Sequence, residues 1–189
     1  MTVARVQRSR MTAEEYLQLG EDPPGQRLEL VDGEVVVSPS AFPRHSHVIS
    51  SLNFILLAHV RVKKLGSLFI DTDVSFDLFT VRRPDLCFYS TRNLHLVSET
   101  HLKPPPDLCV EVLSPHNAKD DRIDKFELYQ KHGVAHYWII DPDARTAECF
   151  ELVEGKYQLM GKGNGSQIVQ LAPFAELPIP LGELWMPRT

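Results

Sequence analysis

The sequence predicts a single mixed α/β (α+β) domain in which a central mixed sheet is flanked by helices and extended by hairpins. Three observations lead to this prediction. The chain has 189 residues, which is enough to enclose one hydrophobic core. Its composition, 43% hydrophobic and 24% charged, is that of an ordinary folded protein. Short apolar runs bounded by turn residues alternate with segments of helical periodicity, as expected for strands and helices packed in layers.

Three segments have the periodicity and the end patterns of helices. A Thr-x-x-Glu capping box predicts a short helix over residues 12–20. Apolar residues recur at helical spacing over residues 43–65, and Gly66 is placed to end this longest helix. A third helix is predicted over residues 120–132 from an apolar stripe and a C-terminal glycine. The stripe and the glycine are Ile123, Phe126, Tyr129 and Gly133.

The strands are predicted from apolar runs that turn residues separate. Asp32-Gly33 lies between two such runs and is the strongest hairpin pattern in the chain. A second hairpin is predicted at Pro142-Asp143, with a further strand after Glu154-Gly155. The other predicted strands cover residues 27–31, 34–38, 67–76, 84–89, 108–113, 136–141 and 147–152. The third, fourth and fifth of these are expected to form the centre of the sheet.

Charge and composition narrow the classes of function and the location. The net charge of −5 argues against the broadly basic surface of many non-specific nucleic-acid binders, although local basic clusters occur. No apolar stretch approaches the roughly 18 residues that span a bilayer, so no membrane association and a cytoplasmic location are expected. Residues 1–10 are predicted to form a flexible basic arm before a single domain over residues 11–189. The three cysteines lie in apolar runs and are expected to be free thiols.

Two carboxylates stand out against apolar strands. Glu111 interrupts the run Leu-Cys-Val-Glu-Val-Leu, where a buried carboxylate needs a proton, a salt bridge or a cation. Asp85 directly precedes another apolar strand, where aspartate is also a common turn former. A structural ion pair or a turn would explain either residue alone. Two carboxylates on neighbouring strands with a lysine nearby are what Mg²⁺-dependent phosphoryl chemistry requires.

A series of sequence blocks extends from about residue 11 to residue 185. The blocks are Glu29 within Leu-Glu-Leu-Val-Asp-Gly-Glu, Pro43-Arg-His45, Arg83-Pro-Asp85, Asp107-Leu-Cys-Val-Glu111-Val-Leu-Ser-Pro, Asp121, Lys125, Tyr129, Gly133-Val and Tyr137-Trp-Ile-Ile-Asp-Pro142. The order and spacing of these blocks resemble those of a bacterial family of restriction-endonuclease-like proteins, long known only as a domain of unknown function. That family belongs to the PD-(D/E)XK nuclease superfamily. The resemblance implies a restriction-endonuclease-like core.

The resemblance also implies roles for single residues. Asp85 matches the Asp of the PD motif, Glu111 matches the second acidic position, and Glu29 matches an upstream acidic position. Two residues after Glu111, where the superfamily pattern has lysine, this chain has Leu113. Lys125 matches the position on the following helix where members of this family carry the lysine instead. An ordinary surface ion pair with the aspartate four residues earlier is the other explanation of Lys125.

The resulting hypothesis is a Mg²⁺-dependent DNA endonuclease, with Mn²⁺ as a substitute for Mg²⁺. Asp85, Glu111 and the backbone carbonyl of Val112 are expected to bind the metal, and Lys125 to orient or deprotonate the attacking water. Glu29 is expected to hold a second ion or to tune the first.

Three further residues are expected to support the site, and other functions stay open. His45 is expected to hydrogen-bond Glu29 or a substrate phosphate, and Arg82 and Arg83 to bind flanking phosphates. A homodimer would place two sites against two DNA strands. The first alternative is a catalytically decayed nuclease-fold module that binds nucleic acid, for which Leu113 and the acidic net charge are the reasons. The second is a metal-dependent hydrolase of another phosphoester.

Overall fold

The computed structural model describes residues 10–39, 42–115 and 118–187. The predicted basic arm, apart from Arg10, lies outside these residues. The helices are α1 (Ala13–Leu17), α2 (Pro43–Lys63) and α3 (Lys125–Lys131), and a π-helical turn, Asp120–Asp124, leads into α3. The strands are β1 (Gln26–Val31), β2 (Glu34–Pro39), β3 (Gly66–Ile70), β4 (Val74–Asp77), β5 (Thr80–Arg82), β6 (Leu86–Ser90), β7 (Leu108–Val112), β8 (His136–Asp141), β9 (Thr146–Val153), β10 (Lys156–Asn164), β11 (Ile168–Val169) and β12 (Ile179–Pro180).

A six-stranded mixed sheet forms the centre of the fold. Its strand order is β10-β9-β8-β7-β6-β3, and β7 and β8 are parallel while the other neighbours are antiparallel. The chain passes from β7 to β8 through α3, because parallel neighbours need a crossover connection. A second, four-stranded antiparallel sheet has the order β2-β1-β5-β4. The predicted mixed α+β architecture is therefore confirmed.

The two faces of the six-stranded sheet have different neighbours. Side chains alternate along β7, so Leu108, Val110 and Val112 join the core beneath α2. Cys109 belongs to the opposite core, which also contains Tyr129 of α3. Because Glu111 is two positions beyond Cys109, it points to the α3 side of the sheet. This alternation decides which helix can supply a partner for the carboxylate.

Several local predictions are confirmed. The capping box at Thr12 and Glu15 is present at the start of α1. Asp32 and Gly33 both have positive φ, 50° and 82°, as a tight hairpin turn between β1 and β2 requires. The three cysteines are buried and free. Within the described residues, no helix is both long enough and apolar enough to cross a membrane.

Two local predictions are wrong. The strand expected over residues 67–76 is broken at Asp71, which has a φ of 48°, so β3 becomes an edge strand and β4 joins the other sheet. Gly66 does not end α2. Lys64 caps that helix in the left-handed conformation, and Gly66 begins β3 with a φ of 154°. Gly66 is needed there because an added Cβ would lie 2.0 Å from the carbonyl oxygen of Tyr89.

Candidate active site

The predicted acidic residues meet where the two sheets adjoin. Asp85 lies just before β6 and Glu111 lies within β7, which is the antiparallel neighbour of β6. Glu29 comes from β1 in the smaller sheet. All three residues are almost fully buried, with exposed fractions of 3%, 1% and 6%. Charged groups at such depth need partners, and those partners define the site.

Asp85 is held by three groups of the protein. Its Oδ1 lies 2.9 Å from Nη1 of Arg27, and its Oδ2 lies 3.0 Å from Nε2 of His45. The same Oδ2 accepts a hydrogen bond of 2.7 Å from the backbone N–H of Val112. Burial alone would raise the pKa of Asp85, but the His45 hydrogen bond and the Arg27 charge hold it well below its ordinary value. Asp85 is therefore ionised.

Glu111 and Lys125 form the centre of the cluster. The Nζ of Lys125 lies 2.8 Å from Oε2 of Glu111 and 3.1 Å from Oδ1 of Asp121. The hydroxyl of Tyr129 donates a 2.7 Å hydrogen bond to Oε1 of Glu111. Burial opposes the charge of Lys125, yet Glu111, Glu29 and Asp121 raise its pKa above the ordinary value. Lys125 is therefore a cation that two carboxylates share.

The segment that carries Lys125 buries a row of three polar side chains. Asp121, Lys125 and Tyr129 follow one another at intervals of four residues and are each at most 2% exposed. Ile123, predicted to belong to an apolar stripe, is 46% exposed instead. The π-helical turn ends immediately before Lys125, and such turns occur frequently at functional sites. The expected ion pair with Asp121 exists, but it is buried rather than on the surface.

Glu29 is bound by Arg82, the last residue of β5, and by Arg83, which follows it. Its Oε1 accepts a 2.7 Å hydrogen bond from the backbone N–H of Arg83, and its Oε2 lies 3.4 Å from Nη1 of Arg82. Arg82 also contacts Asp120 at 2.5 Å. The Arg83 guanidinium is paired with Asp73 at 2.8 Å and with Asp22 at 2.5 Å. Both guanidinium groups are thus engaged by carboxylates, which is a different environment from the expected phosphate contacts.

Sequence reasoning missed or misplaced three contacts. His45 was expected to bind Glu29 or a phosphate, but it binds Asp85. The hydroxyl of Tyr129 was not expected at Glu111, because Tyr129 was assigned to the apolar stripe. Arg27 was not identified at all. Its position two residues before Glu29 on one strand could have indicated it, because such residues share a face of the sheet.

An open cleft of about 400 Å³ reaches this cluster. Asp85, Arg27 and His45 line it, and α2 contributes one of its walls. Glu111 and Lys125 do not line it; they are almost fully buried on the α3 side of the sheet. A ligand in the cleft would therefore reach Asp85 first.

The cluster suits a divalent cation by its charge and its oxygen donors. Four carboxylates are grouped around three permanent cations; the carboxylates are Glu29, Asp85, Glu111 and Asp121, and the cations are Arg27, Arg82 and Lys125. Burial raises the pKa of Glu111 and of Asp121, because the neighbouring cations offset only part of the cost of burying these two charges, whereas the pKa of Glu29 and of Asp85 is lowered. Hard oxygen donors of this kind suit Mg²⁺.

The carboxylates are not arranged in advance as a set of metal ligands. Within the described ranges, no three His, Cys, Asp or Glu side chains converge as ligands for a metal. Arg27 and Lys125 occupy carboxylate oxygens of Asp85 and Glu111, and a cation would displace at least one of these contacts. The oxygen donors fit a divalent ion, and the neighbouring Arg27 and Lys125 compete with such an ion for them.

Comparisons with known proteins agree with this fold. The model of the Uma2 family, described as "Putative restriction endonuclease", matches residues 13–182. A crystal structure from Anabaena variabilis ATCC 29413, described as "a putative nuclease belonging to DUF820", matches with a TM-score of 0.74. That match covers 93% of this chain and 97% of the other at 21% identity, so it establishes the fold. No curated protein matches this chain. The family resemblance predicted from the sequence is confirmed.

Proposed function

Since this chain belongs to the Uma2 family of restriction-endonuclease-like proteins, we propose that it is a Mg²⁺-dependent DNA endonuclease. The observation that carries the proposal is the contact between Lys125 and Glu111, with Nζ and Oε2 2.8 Å apart. The lysine absent at position 113 is thereby replaced by one from the next helix. The proposal assigns this chain a PD-(D/E)XK-like site with a displaced lysine.

The proposed metal ligands are Asp85, Glu111 and the backbone carbonyl of Val112, with Mn²⁺ able to replace Mg²⁺. When bound, the cation supplies a Lewis acid that polarises the phosphodiester and lowers the pKa of a water molecule. Asp85 is ionised before any cation arrives, because His45 and Arg27 stabilise its charge. The site therefore needs no proton release from Asp85 in order to bind a cation.

Lys125 acts in this proposal as a cation and hydrogen-bond donor, and not as a base. Its pKa is raised by Glu111, Glu29 and Asp121, so it stays protonated at neutral pH. Its positive charge beside Glu111 helps to offset the negative charge that develops in the transition state. The Tyr129 hydroxyl fixes the orientation of Glu111. Glu29 tunes the cluster by adding negative charge near Lys125 rather than by holding a second ion.

The decisive experiment compares cleavage of supercoiled and linear DNA in Mg²⁺, Mn²⁺ or EDTA. The variant Glu111→Gln is matched with Glu176→Gln, because Glu176 has an 80% exposed side chain and the same charge is removed. We expect metal-dependent cleavage by the wild type and by Glu176→Gln, and a loss of roughly 100-fold or more in Glu111→Gln. Equal cleavage by all three preparations would indicate a contaminating nuclease and would remove Glu111 from the mechanism.

A second candidate is a nuclease-fold module that binds nucleic acid without cutting it. It is favoured by the carboxylate oxygens of Asp85 and Glu111, each of which already has a partner within the protein. This candidate predicts salt-sensitive binding that EDTA does not change, and no cleavage with any metal. Hydrolysis of small phosphodiesters in place of DNA would instead indicate a hydrolase of another phosphoester.

The proposal includes the assembly and the location of the protein. The acting form is a homodimer in the cytoplasm, in which two sites related by a twofold axis face the two strands of a duplex. Light scattering after size-exclusion chromatography measures the mass directly. A monomer that still cuts both strands would exclude this assembly. Limited proteolysis tests the single domain over residues 11–189, since a resistant fragment of that size is expected.

A further inference from the structure

Polar atoms without partners border the cleft beside Asp85. Nε and Nη2 of Arg27 and Nδ1 of His45 are buried, and within the described part of the chain they have no hydrogen-bond partner. Arg27 and His45 both line the cleft. Buried polar groups in folded proteins are nearly always hydrogen-bonded, so an unpartnered group indicates a missing ligand, water or ion. Here three such atoms lie on two side chains that meet at one carboxylate.

The Arg27 guanidinium is oriented by its contact with Asp85. Nη1 lies 2.9 Å from Oδ1 of Asp85, and the opposite edge of the group, Nε and Nη2, has no hydrogen-bond partner among the described residues. Two parallel N–H groups on this edge match two oxygens of a phosphate. Asp71 lies 3.4 Å from Nε, but its side chain is 59% exposed and makes no hydrogen bond of good geometry with this nitrogen. It can turn away into solvent.

The wall of the cleft continues this polar surface along α2. Ser46, Ser50 and Asn53 line the cleft together with His45. Their spacing of four and three residues places them on one side of the helix. At 1.5 Å per residue, the row from His45 to Asn53 is about 12 Å long. Serine hydroxyls and asparagine amides are frequent partners of phosphate and sugar oxygens in nucleic acids.

We propose that the cleft binds one strand of the nucleic-acid substrate, with Arg27 contacting a phosphate through Nε and Nη2. His45 lies beside that phosphate, and the hydroxyl and amide groups of α2 contact the adjoining sugar-phosphate backbone. This inference rests on the proposed function and adds the path of the substrate strand to it. It moves the phosphate contact from Arg82 and Arg83, which are engaged by carboxylates, to Arg27.

The acidic residues of the cleft make the proposal specific. Asp22 also lines the cleft, but it is paired with Arg83. Asp71 is the carboxylate that competes with a phosphate for Arg27. Removing the charge of Arg27 should therefore weaken binding, whereas removing the charge of Asp71 should strengthen it. Opposite effects of two neighbouring residues distinguish a local contact from a general change of net charge.

The test measures binding of a fluorescein-labelled DNA strand by anisotropy, in EDTA and again in Ca²⁺. Arg27→Gln is compared with Arg92→Gln, a matched loss of charge on an exposed residue beyond the opposite end of β6. Asp71→Asn is compared with Asp32→Asn, at the far end of β1 with an 87% exposed side chain. We expect Arg27→Gln to weaken binding about tenfold and to reduce the salt dependence by roughly one phosphate contact. We expect Asp71→Asn to tighten binding severalfold.

The possible results distinguish the strand path from the nuclease reaction. Affinities of Arg27→Gln and Asp71→Asn equal to those of their matched controls would overturn the proposal. If Arg27→Gln proves unstable in thermal unfolding, Asp71→Asn alone decides, since its exposed side chain makes loss of the fold unexpected. Mg²⁺-dependent cleavage by the wild type is measured in parallel. Cleavage without the Arg27 effect refutes only this strand path, and the Arg27 effect without cleavage refutes only the nuclease reaction.

Discussion

Replacing Lys125 with methionine tests whether this lysine neutralises the buried carboxylates. Methionine keeps most of the side-chain volume but removes the charge, leaving Glu111 and Asp121 without the cation that lies 2.8 and 3.1 Å from them. The Lys125 side chain is only 3% exposed, so water cannot replace it. Removing one partner of such a buried pair typically costs about 3–5 kcal/mol of unfolding free energy.

The assay is urea denaturation at several pH values. With an m-value of about 2 kcal/mol/M, the expected loss lowers the midpoint by roughly 2 M. The matched control is Lys162→Met, because the Lys162 side chain is 54% exposed and pairs with Glu148 at 3.1 Å. An exposed pair of this kind contributes about 0–1 kcal/mol. The two variants lose the same charge, so their difference isolates the effect of burial.

The pH dependence of the unfolding free energy tests separately whether Lys125 neutralises these carboxylates. In Lys125→Met the two carboxylates can bind protons instead of remaining charged, so acidification should restore part of the lost stability. Glu111→Gln in the Lys125→Met background should do the same at neutral pH, because it removes one of the uncompensated charges. A Lys125→Met protein within about 1 kcal/mol of the wild type at neutral pH would refute this reasoning, since that is the range of exposed pairs.

Three further predictions concern single residues of the sheet and the cluster. Burial raises the pKa of Glu111 above its ordinary 4.5, so the folded state binds more protons than the unfolded state above that pH. Stability should therefore fall as pH rises above 4.5, and Glu111→Gln should flatten that slope in urea titrations. Tyr129→Phe should lower the unfolding free energy by about 1.5–3 kcal/mol, because it removes a 2.7 Å hydrogen bond to a carboxylate; an unchanged urea midpoint would contradict this. Gly66→Ala should be destabilised by more than Gly25→Ala in thermal unfolding, because its Cβ would lie 2.0 Å from Tyr89 O while Gly25 has open space; equal losses would contradict the close approach.

Much of the fold could be predicted because its patterns are local. The hairpin at Asp32-Gly33 depends on two residues that tolerate positive φ, and the structure has both. The polar residues Asp71-Thr-Asp73 interrupt the apolar run and mark the break, but no local pattern records that the chain changes sheets there. The role of Gly66 was equally hidden. Its constraint comes from the backbone of Tyr89 on the neighbouring strand, which is distant in sequence.

The acidic residues of the site and Lys125 were recognisable from the sequence, but the partners of Asp85 were not. Glu111 was visible because one carboxylate in an apolar strand violates the burial pattern. Arg27 was overlooked, because an arginine at the start of a strand looks like an ordinary surface residue unless its register with Glu29 is considered. Its contact with Asp85 connects the two sheets. A local sequence pattern does not predict how two sheets are placed relative to each other. The same reason explains why His45 was assigned to Glu29 instead of Asp85.

The charges of this cluster are a poor explanation of the stability of the fold. Burying ion pairs removes charges from water, and apolar side chains of similar volume often give an equally stable or more stable protein. Yet the cluster combines residues from both sheets, α2 and the π-helical turn, and its outermost members line an open cleft. Within the described ranges, two of the side chains that line this cleft carry nitrogen atoms without hydrogen-bond partners, which a bound phosphate would supply. A phosphate of the substrate strand would then take the place of Asp71 at Arg27. Loss of the Asp71 carboxylate should therefore lower the stability of the free protein slightly and strengthen the binding of the substrate strand.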